Sequence, residues 1–462
     1  MGKSWTEEQK QVIELNNRSL LVSAAAGSGK TAVLVERIIQ KVTSDEKPMD
    51  LDQLLVVTFT KAAASEMRER IMGAIDAKLE RNPENSHLQK QKMLLPSAMI
   101  TTIDSFCMSI LKEHFDALNL DPGFRVGDPQ EMILLKQDVA EQLLEDYYTE
   151  GSQEFMDFAS AYSRGKLDQG LVEWILKIYD ISQSYPWPEK WLDDALQFNP
   201  AIVDEENGEK AIVISVVNET GCILEEMADN IERAFHLTCE TGGPELYAPM
   251  LEHDLLQIRE MQKLKDYYHL YIQMHAMKWD RLSGKKQPDV NPELMKAVKE
   301  LRQEAKDLYG WLKKNYYSDE PESMLAKEKR ILPGLLVLLR LTKDFSRRFQ
   351  EEKLARNVID FNDQEHFALK ILLDENMQAT EVAKNYRSWF EEIMCDEYQD
   401  SNQVQETLLQ SISREEDGQP NIFVVGDVKQ SIYRFRLAEP EIFLKKYAAF
   451  TKEESLHQRI DL

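Results

Sequence analysis

LLVSAAAGSGKT, Leu20 to Thr31, joins three unlike pieces of chain. Leu20-Leu21-Val22 is a short apolar run of the kind that fits a strand buried on both faces. Ala24, Ala25, Ala26, Gly27, Ser28 and Gly29 are all small, and the two glycines free the backbone to turn sharply. Lys30 and Thr31 then open a stretch in which Leu34, Val35, Ile38 and Ile39 share one helical face. Strand, glycine-rich turn and helix in that order predict a loop whose backbone N–H groups converge on phosphate oxygens. Lys30 is placed to reach the β- and γ-phosphates as a point charge, and the Thr31 hydroxyl to coordinate Mg²⁺. Ala24 stands where the common pattern has glycine, at a position where a small side chain suffices. Taken alone, the loop leaves kinases, GTPases and motors open.

The surrounding chain alternates strand-like and helix-like segments, which predicts an α/β fold with a parallel sheet. Leu54-Leu55-Val56-Val57 reads as a second buried strand, followed by a helix carrying Met67, Ile71, Ile75 and Leu79. Met99-Ile100-Thr101 reads as a third, with Asp104 or Ser105 placed to cap a helix bearing Phe106, Ile110 and Leu111. From about Gln130 to Arg356 the pattern is mostly helical, and Ile212 to Val217 is its best strand signal. Strand signals return at Trp389 to Cys395 and at Ile422 to Val425. The expected organisation is one sheet domain, residues 1–120 and 356–462, interrupted by a helical insertion over 121–355.

Three further stretches carry chemistry. Ile393-Met394-Cys395 is an apolar strand that delivers Asp396 and Glu397 side by side. Opposite a phosphate loop, Asp396 is suited to hold the metal through its water shell and Glu397 to polarise an attacking water. Val424 to Arg436 reads VVGDVKQSIYRFR. It places Gln430 to sense a γ-phosphate and interleaves Tyr433 and Phe435 with Arg434 and Arg436. Aromatics alternating with arginines suit a single-stranded nucleic-acid track, because a base stacked on an aromatic contributes roughly 1–3 kcal/mol. At the end of the second strand, Thr58 and Thr60 are candidates for a backbone phosphate and Phe59 for a base.

Bulk properties narrow the partners. The 462 residues carry a net charge of −25, so nucleic acid must be met by local basic or aromatic patches rather than a global field. The four cysteines form no Cys-x-x-Cys pair, which argues against zinc or iron–sulfur chemistry and points to a reducing cytoplasm. No apolar run approaches transmembrane length, and no signal-peptide pattern opens the chain.

In this order, the stretches resemble the N-terminal motor half of superfamily-one DNA helicases of the UvrD/PcrA and RecB type. WTEEQ, Trp5 to Gln9, is similar to the adenine-reading segment of that family, which implies that Gln9 contacts adenine. SAAAGSGKT, VTFTKAAASEMRERI, DEYQD and VVGDVKQSIYRFR resemble its motifs I, Ia, II and III. TTIDSF, Thr101 to Phe106, resembles a DNA-contacting motif, which implies a role for Thr102, although Asp104 stands where many relatives have histidine. Val358 to Asp363 is similar to the segment that re-enters the motor domain after its insertion. DPGFRV, the large insertion and GDVKQSIYRFRLAEPEIF look most like the helicase–nuclease members that work with a second protein on broken DNA ends. The resemblance implies a RecA-like fold, ATP and Mg²⁺ as cofactors, 3′→5′ travel on DNA, and a part in recombination and repair. It also implies a second motor domain and an exonuclease domain that these 462 residues do not contain, so that ATP turnover by this stretch alone is slow. A non-catalytic, nucleotide-dependent DNA- or protein-binding module is the alternative; it keeps the loop and needs neither Glu397 nor the aromatic track.

Overall fold

The computed structural model describes residues 5–24, 27–44, 48–163, 168–197, 211–285, 290–427 and 439–462. Eight strands lie among them: β1 (Ser19–Ser23), β2 (Leu54–Thr58), β3 (Met99–Thr102), β4 (Arg125–Val126), β5 (Val358–Ile359), β6 (Glu392–Cys395), β7 (Ile422–Gly426) and β8 (His457–Asp461). Six of them form one sheet in the order β3-β2-β6-β7-β1-β8, with every neighbouring pair parallel. The fold is α/β, as the alternating pattern predicts.

Alternate residues of each strand feed two separate cores. Leu21, Leu55, Val57, Ile393, Cys395, Ile422 and Val424 pack on one face with Phe106, Phe367, Leu408 and Phe443. Leu20, Val22, Leu54, Val56, Met394, Phe423 and Val425 pack on the other with Val33, Leu34, Ile38, Met67 and Ile71. Burial on both faces explains why these strands read as unbroken apolar runs rather than alternating ones. The edge strand β8 escaped sequence reading because His457, Gln458, Arg459 and Asp461 mask its single buried apolar residue, Ile460.

The helices α1 (Glu7–Glu14), α2 (Lys30–Val42) and α3 (Lys61–Arg81) lie against the second face. A fully buried arginine ties two of them to the sheet. Arg37 in α2 donates to the carbonyls of Val12 and Ile13 at the end of α1 (2.5 and 3.3 Å) and pairs with Glu392 at the start of β6. Lys41 adds a second cation 3.3 Å from Glu392.

The chain divides into two compact units, residues 1–195 with 337–462, and residues 196–336. The helices Pro129–Glu150, Gln153–Tyr162 and Gln169–Ser182 belong to the first, packed on Leu341, Phe345 and Phe349 of the helix Pro321–Ala355. The expected 121–355 segment therefore distributes over both units. Where the chain leaves and re-enters the sheet region it is stitched to itself, because β4 and β5 pair in parallel with Arg125 opposite Val358. Lys353, also buried, holds the returning segment through Asp360 (3.0 Å) and Asp363 (2.7 Å).

The second unit is helical, built from Ala211–Cys239, Ala248–Gln262, Tyr267–Ala276 and Pro292–Asn315 around Leu224, Met227, Ile231, Leu251 and Val298. The strand expected at Ile212 to Val217 is instead the first part of the helix Ala211–Cys239. Its β-branched run favours a strand locally, but Val217, Leu224, Ala228 and Ile231 continue a helical spacing that a short strand could not bury. The helix after β3 is capped by Thr102, whose hydroxyl accepts from the Ser105 N–H, and not by Asp104 or Ser105.

Candidate nucleotide and nucleic-acid site

Because all six strands run the same way, their C-terminal ends share one edge, where open α/β sheets hold ligands. β1 ends in the glycine loop. Gly27 and Gly29 both take the left-handed conformation, at φ 80° and 88°, which lets the chain turn back and start α2 at Lys30. The helices α1, α3 and Ile103–Glu113 are capped by Thr6, Thr60 and Thr102, whereas no side chain caps α2. Its first N–H groups and the positive end of its dipole face the loop, as an anion site requires.

Two observations test whether the loop fits a polyphosphate. The Ser28 hydroxyl is buried with no hydrogen-bond partner among the described residues, a state that a phosphate oxygen would relieve. A side chain built at Gly27 would meet nothing within 4 Å, so there is open space beside the turn. The loop residues therefore fit the group. Gln9 is already tied to this loop: its amide donates to the Ser28 carbonyl (3.1 Å) and accepts from the Thr6 N–H (3.0 Å). Ala24 is buried and donates its N–H to the Gly426 carbonyl at 3.0 Å, which locks the start of the loop onto β7.

The acidic pair arrives from β6. The Asp396 N–H extends the ladder to the Val57 carbonyl (3.0 Å), and its carboxylate accepts from the Glu397 N–H (3.1 Å). Burial, then the like charge of Glu397, pushes the Asp396 carboxyl up to about 6, against a lowering pull from Lys30. A bound divalent cation would reverse that balance by favouring the carboxylate. Glu397 sits at φ 53° and ψ 41°, a left-handed conformation that costs energy for a side-chain-bearing residue. Its carboxylate lies 3.3 Å from Lys30 Nζ. The loop lysine and the acidic pair are thus brought together from strands separated by β7. Thr31 follows Lys30 in the first turn of α2, half-buried.

Gln399 belongs to this constellation although the sequence analysis gave it no role. It is buried, donates to Glu397 Oε2 (2.7 Å) and Asp400 (3.2 Å), and accepts from the Asp427 N–H (2.9 Å). Its position within DEYQD was the available signal.

Of the nucleic-acid candidates, Thr58 and Thr102 stand opposite each other at the ends of β2 and β3. Thr58 is buried and donates to the Thr60 carbonyl (3.0 Å), while the Thr60 hydroxyl caps α3 through the Ala63 N–H (3.1 Å). Phe59 between them is half-buried. Ala25, Ala26, Gln430, Tyr433, Phe435 and Arg436 lie outside the described residues. Among the described residues, no helix is long and apolar enough to cross a membrane.

Comparison with known proteins gives the family. The UvrD/REP helicase N-terminal domain matches residues 5–451. The chain is similar to an ATP-dependent helicase/nuclease subunit of Lachnoclostridium phytofermentans, with 45% identity over 99% of this chain and 34% of that protein. The proteins of the same name from Clostridium beijerinckii and Alkaliphilus oremlandii are 43% and 42% identical over all of this chain and 38% of their own length. The chain thus spans roughly a third of these relatives, and its match to the domain runs through the glycine loop, the acidic pair and the sheet that aligns them: it belongs to the UvrD/REP helicase family.

Proposed function

We propose that this chain is the ATP-binding first motor part of an AddA-type, ATP-dependent 3′→5′ DNA helicase that acts on broken DNA ends in repair and recombination. The observation that carries the reading is the approach of Glu397 to Lys30 at the mouth of the loop, 3.3 Å apart. A site that only held nucleotide would need the lysine and not a second, strained carboxylate aimed at it. In this reading the motor region comprises residues 1–120 and 356–462, with 121–355 as the insertion.

ATP is the substrate. The N–H groups of the loop and Ser28 bind its phosphates, Gln9 its adenine, and Lys30 turns from Glu397 to the β- and γ-phosphate oxygens. Thr31 and Asp396 would hold Mg²⁺, which supplies charge neutralisation between the phosphates. Two protein ligands suit this ion, which keeps most of its waters. Glu397, released by Lys30, takes the proton of the attacking water as its oxygen bonds to the γ-phosphorus and the bond to the bridging oxygen of ADP breaks. Gln430 senses the γ-phosphate, and Thr58, Phe59, Thr60, Thr102, Tyr433, Phe435 and Arg436 grip single-stranded DNA. The names of the relatives include a nuclease function and call each protein a subunit, which supports an assembly with an AddB-like partner; the cytoplasm is the compartment this reading gives it.

In the full-length protein, Glu397→Gln should keep Mg·ATP binding and lower DNA-stimulated turnover by about 100-fold or more, the usual scale of a lost general base. Turnover within a few fold of the unaltered protein would remove Glu397 from that role.

A further inference from the structure

We infer that Gln399 is a positioning residue that aims the Glu397 carboxylate and links it to the end of β7; the inference rests on the hydrolytic reading above. The side chain is 1% exposed, and both ends of its amide are used across a gap between two elements. The Nε2 end donates to Glu397 Oε2 at 2.7 Å, and the Oε1 end accepts from the Asp427 N–H at 2.9 Å. Oε2 also lies 3.3 Å from Lys30 Nζ. One carboxylate oxygen therefore has two anchors, one of them the lysine that a polyphosphate must recruit. When Lys30 moves to phosphate, the Gln399 amide is what remains to hold that oxygen. The other oxygen is then free to take the proton of the attacking water as the oxygen–phosphorus bond forms and ADP leaves.

The backbone around this bridge is shaped to admit it. A Cβ at Gly426 would lie 2.5 Å from Gln399 Oε1 and 2.8 Å from a ring carbon of Phe443, so only glycine leaves the amide its place. Glu397 is held at φ 53°, and a side chain thrown into that backbone region needs an external restraint to keep one direction. The Asp427 N–H is the last described backbone donor before residues 428–438, the stretch that carries Gln430 and the aromatic–arginine alternation.

The test uses full-length protein carrying Gln399→Met, which keeps volume but cannot hydrogen-bond, and Gln399→Glu, which keeps the acceptor for Asp427 and loses the donor to Glu397. Expected for both is a fall of about 10-fold or more in kcat for ATP, the scale of a misaimed catalytic group, with affinity for Mg·mant-ATP kept within about 3-fold. A purely structural residue would lower both together. Gly426→Ala provides an independent route, since it displaces the amide without altering it: it should lower kcat alone, and should add nothing further in the Gln399→Met background. The inference is overturned if either folded Gln399 variant turns over at the unaltered rate, or if the Gly426 and Gln399 effects multiply. An unaltered protein that binds ATP but does not hydrolyse it, with or without DNA, would instead sink the hydrolytic reading itself.

Discussion

Glu365 shows most plainly what a single residue contributes away from the phosphate loop. It lies in the helix Phe361–Leu372, is buried, and accepts one hydrogen bond from Gln405 at 2.8 Å. Burial first, and the charge of Asp104 second, push its carboxyl up from the usual 4.5 to about 7, against lowering hydrogen bonds from Gln405 and Asn402. A raised folded pKa means that the native state holds the proton more tightly than the unfolded chain. The resulting stability is fully present below about 4.5 and is lost as pH rises through about 7, on the order of 3 kcal/mol at pH 8. Glu365→Gln keeps an acceptor for Gln405 and has no charge to bury. It should therefore be more stable than the unaltered protein at pH 8 by about 1–3 kcal/mol and indistinguishable at pH 4.5, as read by urea denaturation. An offset independent of pH would contradict the assignment. Lys30, Asp396 and Glu397 stood out in the sequence because a glycine-rich turn precedes the first and an apolar strand delivers the other two. The role of Gln399 did not, since its partner at Asp427 comes from a strand whose register only the folded sheet sets.

At the scale of elements, the strands that could be read were those buried on both faces, and the errors fell where a local preference met a larger packing demand. Ile212 to Val217 has strand-like residues, yet its helix buries Val217, Leu224, Met227 and Ile231 along one stripe. Thr102 takes the cap because β3 runs one residue further than its apolar core, which brings the threonine hydroxyl over the first turn. The most consequential element-level contact was hidden altogether, for a lone arginine in α2 carries no mark that it will be buried. Arg37 joins α1, α2 and β6, and so connects the helix bearing Gln9 to the strand bearing the acidic pair. Glu392 remains ionised there because Arg37, then Lys41, outweigh its burial and hold its carboxyl below the usual range. Arg37→Met should cost about 3 kcal/mol of unfolding free energy, since it strands a buried carboxylate beside one remaining cation and leaves the Val12 and Ile13 carbonyls without a donor. The double variant Arg37→Met/Glu392→Leu should recover part of that loss, whereas a loss no smaller than that of the single variant would show that the ion pair is not the source.

For the whole molecule, the sheet order β3-β2-β6-β7-β1-β8 accounts for the site. It sets the loop after β1 and the carboxylates after β6 on either side of β7, whose end supplies Gly426 to both through Ala24 and the close approach of Gln399. A long helical excursion intervenes in the chain between the two halves of this site, and the paired strands β4 and β5 bring the chain back where it left. That closure is why residues 367 positions apart meet at Lys30 and Glu397. The domain boundaries were less legible than the motifs, because helices within 121–195 look like the rest of the excursion in sequence but share a core with residues 337–358. The whole mechanism depends on the glycine loop being the nucleotide site. The direct measurement is an equilibrium titration of the full-length protein with Mg·mant-ATP beside its Lys30→Ala variant. The predicted result is binding by the unaltered protein and affinity about 10- to 100-fold weaker in the variant, the worth of a charge-assisted contact to phosphate. Equal affinity in the two proteins would contradict it.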